Sequence, residues 1–373
     1  MSENEEKSIH IVSSAQNWLE GEAIHQLKRS AQLTGMQRVV GMPDLHPGKG
    51  FPIGAGFICK DCVYPHLVGS DIGCGIGLWQ SDLKYRKIKR DKLYARIKSM
   101  EGPWDGDYRE LLEEAGIAET PFDQSLGTIG AGNHFAELQR VERVEDEARF
   151  EALGLRKDRV FMTIHSGSRG LGNAILQEHL SAHSINSLAV SSEDGQAYLQ
   201  KHNDAMRWAK VNRRIIAARL SKEIRSDAEP ILDLFHNTVE PITHEGETLW
   251  LHRKGAAPAD QGPALIPGSR GTWSYLLQPI NPRWETAFSL AHGAGRKWKR
   301  SEAKGKLKNR YRSKDLEITS LGSRVICTDK ELLYQEAPEA YKDIEVVVQD
   351  MVAANMVSVI AVLRPIITYK VRK

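Results

Sequence analysis

A chain of 373 residues with 51 Lys and Arg against 48 Asp and Glu, 41% hydrophobic and 27% charged, has the composition of a water-soluble folded protein with room for a substantial core. No apolar run approaches the roughly 20 residues that cross a bilayer, and a net charge of +3 is too small to mark a nucleic-acid binder, so the placement of charge matters more than its sum. Four cysteines are too few for a disulfide framework at this length, which leaves reduced thiols free to ligate metal.

The opening MSENEEKSIH is acidic and polar, unlike the basic and then apolar start of a signal peptide, so a cytoplasmic location is expected, with residues 1–8 flexible. From Gly41 to Leu78 the chain is rich in glycine and proline; short apolar pieces such as FICK and HLVG suit brief strands between turns, with little helix. The charge pattern and spaced leucines of Asp82 to Ala115 predict helix, as does the periodicity of residues 172–227. Beyond Leu232 strand-like pieces return (TLWLHRKG, ALIPGSRGTWSYLL). The last forty residues predict a helix, DIEVVVQDMVAANMV, and then a β-branched strand, SVIAVLRPIITYK. There is no fixed-period repeat and no low-complexity linker. Chemically suggestive residues run from Asp71 to Lys370, so the expectation is an α+β fold forming a single domain over residues 1–373, since separate domains would have to share one site.

In DIGCGIGLW, glycines on both sides of Cys74 allow a tight turn and close approach to a ligand, with Asp71 one short turn earlier. Taken alone, this is a metal edge or a structural turn with a buried cysteine. GTIGAGNHFAEL adds Asn133, His134 and Glu137; TIHSGSRGLG adds His165 and Arg169; LFHNTVE adds His236 and Asn237. Three imidazoles, one thiolate and one carboxylate make a ligand set large enough for two ions if the thiolate bridges, and its mixed N, S and O donors favour zinc, manganese or iron(II) over magnesium or calcium. HSGSRG, IPGSRGTWSY and AHGAGRKWKR each combine small residues, whose N–H groups can face an anion, with an arginine; with HRKG (residues 252–255) they argue for a substrate carrying several phosphates. His292, followed by Gly293, Ala294 and Gly295, is exposed to whatever that loop cradles. Neutral imidazole beside a triphosphate is a nucleophile that forms a phosphoramidate, with metal ligation as the competing role.

In this order DIGCG, GxGNHFxE, HSGSRGLG, HRKGA, PGSxGTxSY and HGAGR resemble the RtcB family of RNA-splicing ligases, the matches running from Gly41 to Lys370. The resemblance implies an RtcB-like α+β catalytic domain of mixed β-sheets surrounded by helices. It further implies a GTP- and manganese-dependent ligase that joins RNA ends bearing 2′,3′-cyclic phosphate or 3′-phosphate to ends bearing 5′-hydroxyl, in RNA repair, RNA splicing or tRNA processing. By position, Asp71, Cys74, His134, His165 and His236 would hold two Mn²⁺ ions, and His292 would become guanylylated. Asn133, Glu137, His236, Asn237, Ser269, Ser274, Gly293, Ala294, Gly295, Tyr341 and Lys370 would line the GTP site, while Arg169, Lys254, Arg296 and Arg300 would meet RNA phosphates or the triphosphate. Some bacterial relatives accompany a release-factor-like protein, a companion the resemblance extends to this chain. The alternative is a binuclear metallophosphoesterase or nuclease acting on RNA, which needs no covalent histidine.

Three further features stay open on sequence. The tract RKWKRSEAKGKLKNRYRSK (296–314) carries ten cations together with Trp298 and Tyr311, and reads as an RNA-contacting segment or as a solvated, partly flexible one. Asp44 and His46 are either partners that orient metal ligands or parts of a structural turn. Cys59 and Cys62 resemble half of a zinc knuckle without its second half, and Cys327 reads as packing.

Overall fold

The computed structural model describes residues 9–372, so the expectation about residues 1–8 lies outside them. In chain order the strands are β1 (Ile9–Ile11), β2 (Met36–His46), β3 (Ile53–Cys59), β4 (Cys62–Val63), β5 (Gly75–Lys84), β6 (Phe135–Val144), β7 (Arg159–Ser166), β8 (Leu188–Ala189) and β9 (Ala228–Phe235). They continue with β10 (Asn237–His244), β11 (Glu247–Lys254), β12 (Ala256–Pro258), β13 (Ala264–Pro267), β14 (Ser274–Pro279), β15 (Ser289–Ala291), β16 (Arg324–Cys327) and β17 (Val357–Val371). The fold is α+β with mixed sheets.

The larger sheet has the order β13-β14-β17-β6-β7-β5-β9, with β16 beside the end of β17. All its pairings are antiparallel except β16 with β17. Its spine is β17, the β-branched run read from the sequence. That strand is buried along most of its length, so it reads as a continuous apolar stretch rather than an alternation. Pro365 has no N–H for the ladder, and the register with β6 shifts just after it. The second sheet has the order β1-β2-β3-β11-β10, in which only β1 and β2 are parallel.

Two local expectations are corrected. HLVG is part of a short helix, Pro65–Val68, because Pro65 suits a first helical position and Gly69, at φ +91°, ends the turn. Asp82 to Ala115 is not mainly helix: β5 runs on to Lys84, followed by short helices Arg90–Arg96 and Arg109–Glu114. Between them lie Gly102, Pro103 and Gly106, which interrupt the ladder that the leucine spacing suggests. The helices expected in residues 172–227 form as Gly170–His183 and Glu193–Ile224. At the C-terminal end, Ile344–Ala353 is the helix expected there.

Glu193–Ile224 begins where Ser192 Oγ accepts from Gly195 N and ends at Arg225 in the left-handed region, φ 56°. It crosses directly over the DIGCG turn. Gly73 has φ +70°, and a Cβ there would lie 2.9 Å from the Cα of Met206 on the helix, so both its dihedral and its space demand glycine. From the same helix the fully buried Arg213 donates to Gly73 O at 2.9 Å and Ser166 O at 2.8 Å, and pairs with Asp233 on β9 at 2.7 Å.

At one of its crossings the chain passes from one sheet to the other within a single residue. His236 lies between β9, in the larger sheet, and β10, in the smaller one, and its N–H donates to Cys74 O at 2.8 Å. Asn237 secures the crossing: its Nδ2 donates to Asp71 O at 3.0 Å and its Oδ1 accepts from Gly255 N at 2.7 Å. Removal of Arg213 would strand the Asp233 charge and two buried carbonyls. Arg213→Ala is expected to cost about 3–5 kcal/mol of stability, measured by urea denaturation; a loss below about 1 kcal/mol would show that the pair is not structural.

Candidate active site

Adjacent strand ends bring five separated side chains together. In the larger sheet Ile76 of β5 pairs with His165 of β7, Phe135 of β6 pairs with the same histidine, and Gly75 pairs with Phe235 of β9. Cys74, His134 and His236 each directly adjoin one of these paired residues, so register alone places them as neighbours. Nε2 of His134 lies 2.7 Å from the Asp71 carboxylate and 3.3 Å from Cys74 Sγ. Cys74 Sγ is 3.2 Å from His165 Nε2, which is 3.3 Å from His236 Nε2. Cys74 thus belongs to two overlapping donor groups, one with Asp71 and His134 and one with His165 and His236. Gly130, at φ +106°, clears the space: a Cβ there would strike the Arg169 guanidinium and lie 2.7 Å from His134 Nδ1.

The electrostatics suit a cation. Burial, reinforced by neighbouring imidazoles, holds His165 and His236 well below the ordinary histidine value, so both are neutral with lone pairs available. Burial and the Asp71 carboxylate push the Cys74 thiol well above its usual range. Burial works against ionisation of Asp71 too, but His134, Cys74 and Arg169 outweigh it and keep the carboxyl below its normal value. Donor separations near 3.3 Å match edges of a tetrahedron whose metal bonds are about 2.0–2.3 Å. Three ring nitrogens, a thiol and a carboxylate, all but Asp71 nearly fully buried, fit a transition-metal site.

His292 stands at the edge of this cluster, its ring centroid 4.8 Å from that of His236. The residue missing from the list of site candidates is Asp44. Its Oδ2 lies 2.6 Å from His292 Nδ1 and accepts from the His292 backbone N–H at 3.1 Å. Sequence had left Asp44 between a turn and an orienting role; the structure sets it against His292 rather than against a ligand of the cluster. Its neighbour His46, pushed down to about 4 by burial, directs Nδ1 at Asp44 O, 2.8 Å away.

Both His165 and His292 face a cavity of about 860 Å³. Asn133, Glu137, Ser269, Gly293, Ala294, Gly295, Arg296, Arg300, Tyr341 and Lys370 line it as well. Ser274 does not: it is buried behind the wall and accepts from Gln139 Nε2 at 2.8 Å. Asn237 is occupied by the backbone crossing described above. Lys254 lies mostly buried, its ammonium donating to His66 O at 3.0 Å and pushed down to about 8 by burial. Arg169 is half-buried beside Thr128 and the Asp71 carboxylate, away from the cavity wall.

A second residue beyond reach of sequence reading is Glu336, which has no motif around it. It is 4% exposed and faces Lys370 at 3.4 Å, Arg296 at 3.0 Å, Arg300 at 3.8 Å and the Tyr341 hydroxyl at 2.5 Å. Burial alone would raise its carboxyl; those three cations and the hydroxyl instead hold it below the ordinary value. Four predicted site residues from three segments are therefore held by one unpredicted carboxylate. Opposite, Glu137 is buried on β6, takes hydrogen bonds from Thr368 and from Gln139 (2.7 Å), and is pushed up to about 7 by burial.

A family model described as "tRNA-splicing ligase RtcB" matches residues 26–103 and 101–371. The chain is 45% identical to "RNA-splicing ligase RtcB2" of Escherichia coli over 97% of its own length and 96% of that protein's. It is 31% identical to "tRNA-splicing ligase RtcB" of Archaeoglobus fulgidus, covering 93% of this chain and 91% of the other, and 30% identical to "RNA-splicing ligase RtcB" of Mycobacterium tuberculosis, covering 91% and 99%.

The raised Glu137 value makes stability depend on pH with a definite sign. A carboxyl that binds its proton more tightly when folded stabilises the protein fully below its unfolded value of 4.5, and that contribution is lost as pH rises towards about 7. Relative to Glu137→Gln, the wild type should lose about 3 kcal/mol across that window, read from denaturation midpoints of both proteins at the two ends. Parallel pH profiles would refute the assignment.

Proposed function

The chain belongs to the RtcB family and is an RNA ligase, and from that premise we propose that it joins RNA 3′-phosphate or 2′,3′-cyclic phosphate ends to 5′-hydroxyl ends, with GTP and two Mn²⁺ ions and with His292 as the guanylylated residue. The observation that carries this reading is the pairing of His292 with Asp44 at the edge of the donor cluster. With Nδ1 against a carboxylate, the tautomer carrying its proton on Nδ1 is favoured, and Nε2 keeps the lone pair that attacks phosphorus. The N–P bond forms as the bond to pyrophosphate breaks, and Asp44 balances the positive charge that develops on the ring.

Asp71, Cys74, His134, His165 and His236 would hold the ions, Cys74 belonging to both donor groups. Bound there, divalent cations would neutralise the triphosphate and lower the charge barrier to attack. A GMP adduct on His292 then passes to an oxygen of the RNA 3′-phosphate as the N–P bond breaks. The 5′-hydroxyl attacks that activated 3′-phosphorus, forming the phosphodiester and releasing GMP. A cyclic phosphate must first be opened by water.

Preference for guanine over adenine follows from the pair at the cavity floor. Guanine presents N–H donors and a carbonyl acceptor along one edge, which match a carboxylate and an ammonium; adenine's amino group and ring nitrogen reverse the pattern. Glu137 and Lys370 supply that pair, with Asn133, Ser269 and Tyr341 nearby in the same wall. Arg300, exposed at the cavity margin 3.4 Å from Asn133, suits a phosphate of the incoming RNA.

Incubation with radiolabelled GTP and Mn²⁺ should leave acid-labile label on the wild type, none on His292→Ala, and about 10–100-fold slower labelling of Asp44→Asn. A wild type that hydrolyses phosphate esters without acquiring label would be a phosphoesterase instead. Elemental analysis supplies an independent check: Cys74→Ala should lose both ions if its sulfur is shared, and two ions retained per chain would refute sharing.

A further inference from the structure

The cavity does not end at the basic segment. Glu20, Lys297, Trp298 and Lys299 line both the cavity and an adjoining groove of about 380 Å³, which Trp18 also lines. We propose that this groove holds single-stranded RNA leading to the end bound in the cavity, with a base stacked on Trp18 and phosphates on Lys297 and Lys299. The inference rests on the ligase reading and adds to it a residue about 280 positions away from the basic segment.

The segment 296–314 is less free than its composition suggests. It contains the helix Arg300–Leu307, pinned by buried Ala303 and Leu307, and Trp298 and Tyr311 pack against the same apolar cluster. Lys297 and Lys306 lie 5.4 and 4.8 Å from the Trp298 ring centre. The two aromatics that looked available for bases are therefore largely committed to holding the segment. Several of its cations are committed too: Arg296 to Glu336, Lys304 to Glu331, Lys306 to Glu302 and Arg312 to Asp315. Lys297 and Lys299 are exposed and make no close ion pair among the described residues, although the Lys299 charge is felt by Glu302, which pairs with Lys306.

Trp18 is the opposite case. It is 57% exposed, yet its backbone is held on both sides. Asn17 donates to Pro43 O at 2.8 Å and to Asp350 at 2.7 Å, and Leu19 packs into the core around Phe57 and Leu67. A large indole held in water between two anchored neighbours costs solvation free energy that a stacked base would recover. Base stacking needs no particular sequence, and Lys297, Lys299 and Lys306 outnumber the carboxylates Glu20 and Glu302 in the groove lining, so its charge is complementary to a backbone that must turn into the cavity.

The test measures binding and joining of a dodecamer ending in 3′-phosphate and of one beginning with 5′-hydroxyl, each against a dinucleotide short enough to fill the cavity alone. Trp18→Ala should weaken dodecamer binding about tenfold, raise KM for the RNA more than it lowers kcat, and leave dinucleotide binding as in the wild type; Trp18→Tyr should restore most of the loss. Lys297→Ala with Lys299→Ala should instead flatten the salt dependence of log affinity by about 1.4, two single-strand phosphates' worth. Dodecamer affinity and salt slope unchanged in both variants would overturn the proposal and leave the patch to a protein partner. Equal losses for dodecamer and dinucleotide would likewise overturn it, as an effect on the cavity. A wild type that joins no ends would fail the ligase reading itself, and this subsite with it.

Discussion

Burying three imidazoles, a thiol and a carboxylate within hydrogen-bond distance of each other is the constraint around which this molecule is arranged. None of these groups gains from apolar surroundings, and His134 Nδ1 is buried without a hydrogen-bond partner. The fold supplies them from places where the backbone cannot drift: Cys74 one residue before β5, His165 on the neighbouring β7, His134 one residue before β6, and His236 at the crossing between sheets. A cation bound among them would turn this arrangement from a liability into a gain, because it would ionise the thiol, take the imidazole lone pairs and offset the carboxylate.

Rigidity around the cluster comes from buried polar residues on the helix that crosses it. Arg213 joins the DIGCG turn, β7 and β9 through two carbonyls and one carboxylate. Asn212, next to it, donates to Ser166 Oγ at 3.1 Å and accepts from Gly127 N at 2.8 Å, which ties the loop before His134 to the strand carrying His165. Pairs of this kind contribute little net stability compared with apolar packing. Their use here is positional: a donor displaced by a fraction of a bond length would leave the set.

The cavity follows the same logic on a larger scale. Glu336 gathers a lysine, two arginines and a tyrosine from three segments, so this wall of the cavity carries several cations without being self-repelling. Asp44 does for one histidine what Glu336 does for the cations. In both cases a buried carboxylate prepares charged or nucleophilic groups before any ligand arrives, and preparation in advance is what lets electrostatic stabilisation favour a transition state.

Much of the site was legible because its residues sit in short glycine-flanked motifs whose composition has few other uses: DIGCG, GNHF, HSGSRG and HGAG. The β17 strand and the long helix were legible for a different reason, since a β-branched run and a helical period are local properties. Sequence alone determined which donors exist and that they could serve one metal-and-phosphate chemistry. It did not reveal Asp44 as the partner of His292, Glu336 as the hub, or Trp18 as the neighbour of the basic segment. These depend on contacts between residues tens to hundreds of positions apart, and such contacts are settled by sheet register and by the crossing at His236, to which no local pattern corresponds. The HLVG helix and the broken stretch from Asp82 to Ala115 escaped prediction for a local reason: single prolines and glycines outweighed a weak preference of the residues around them.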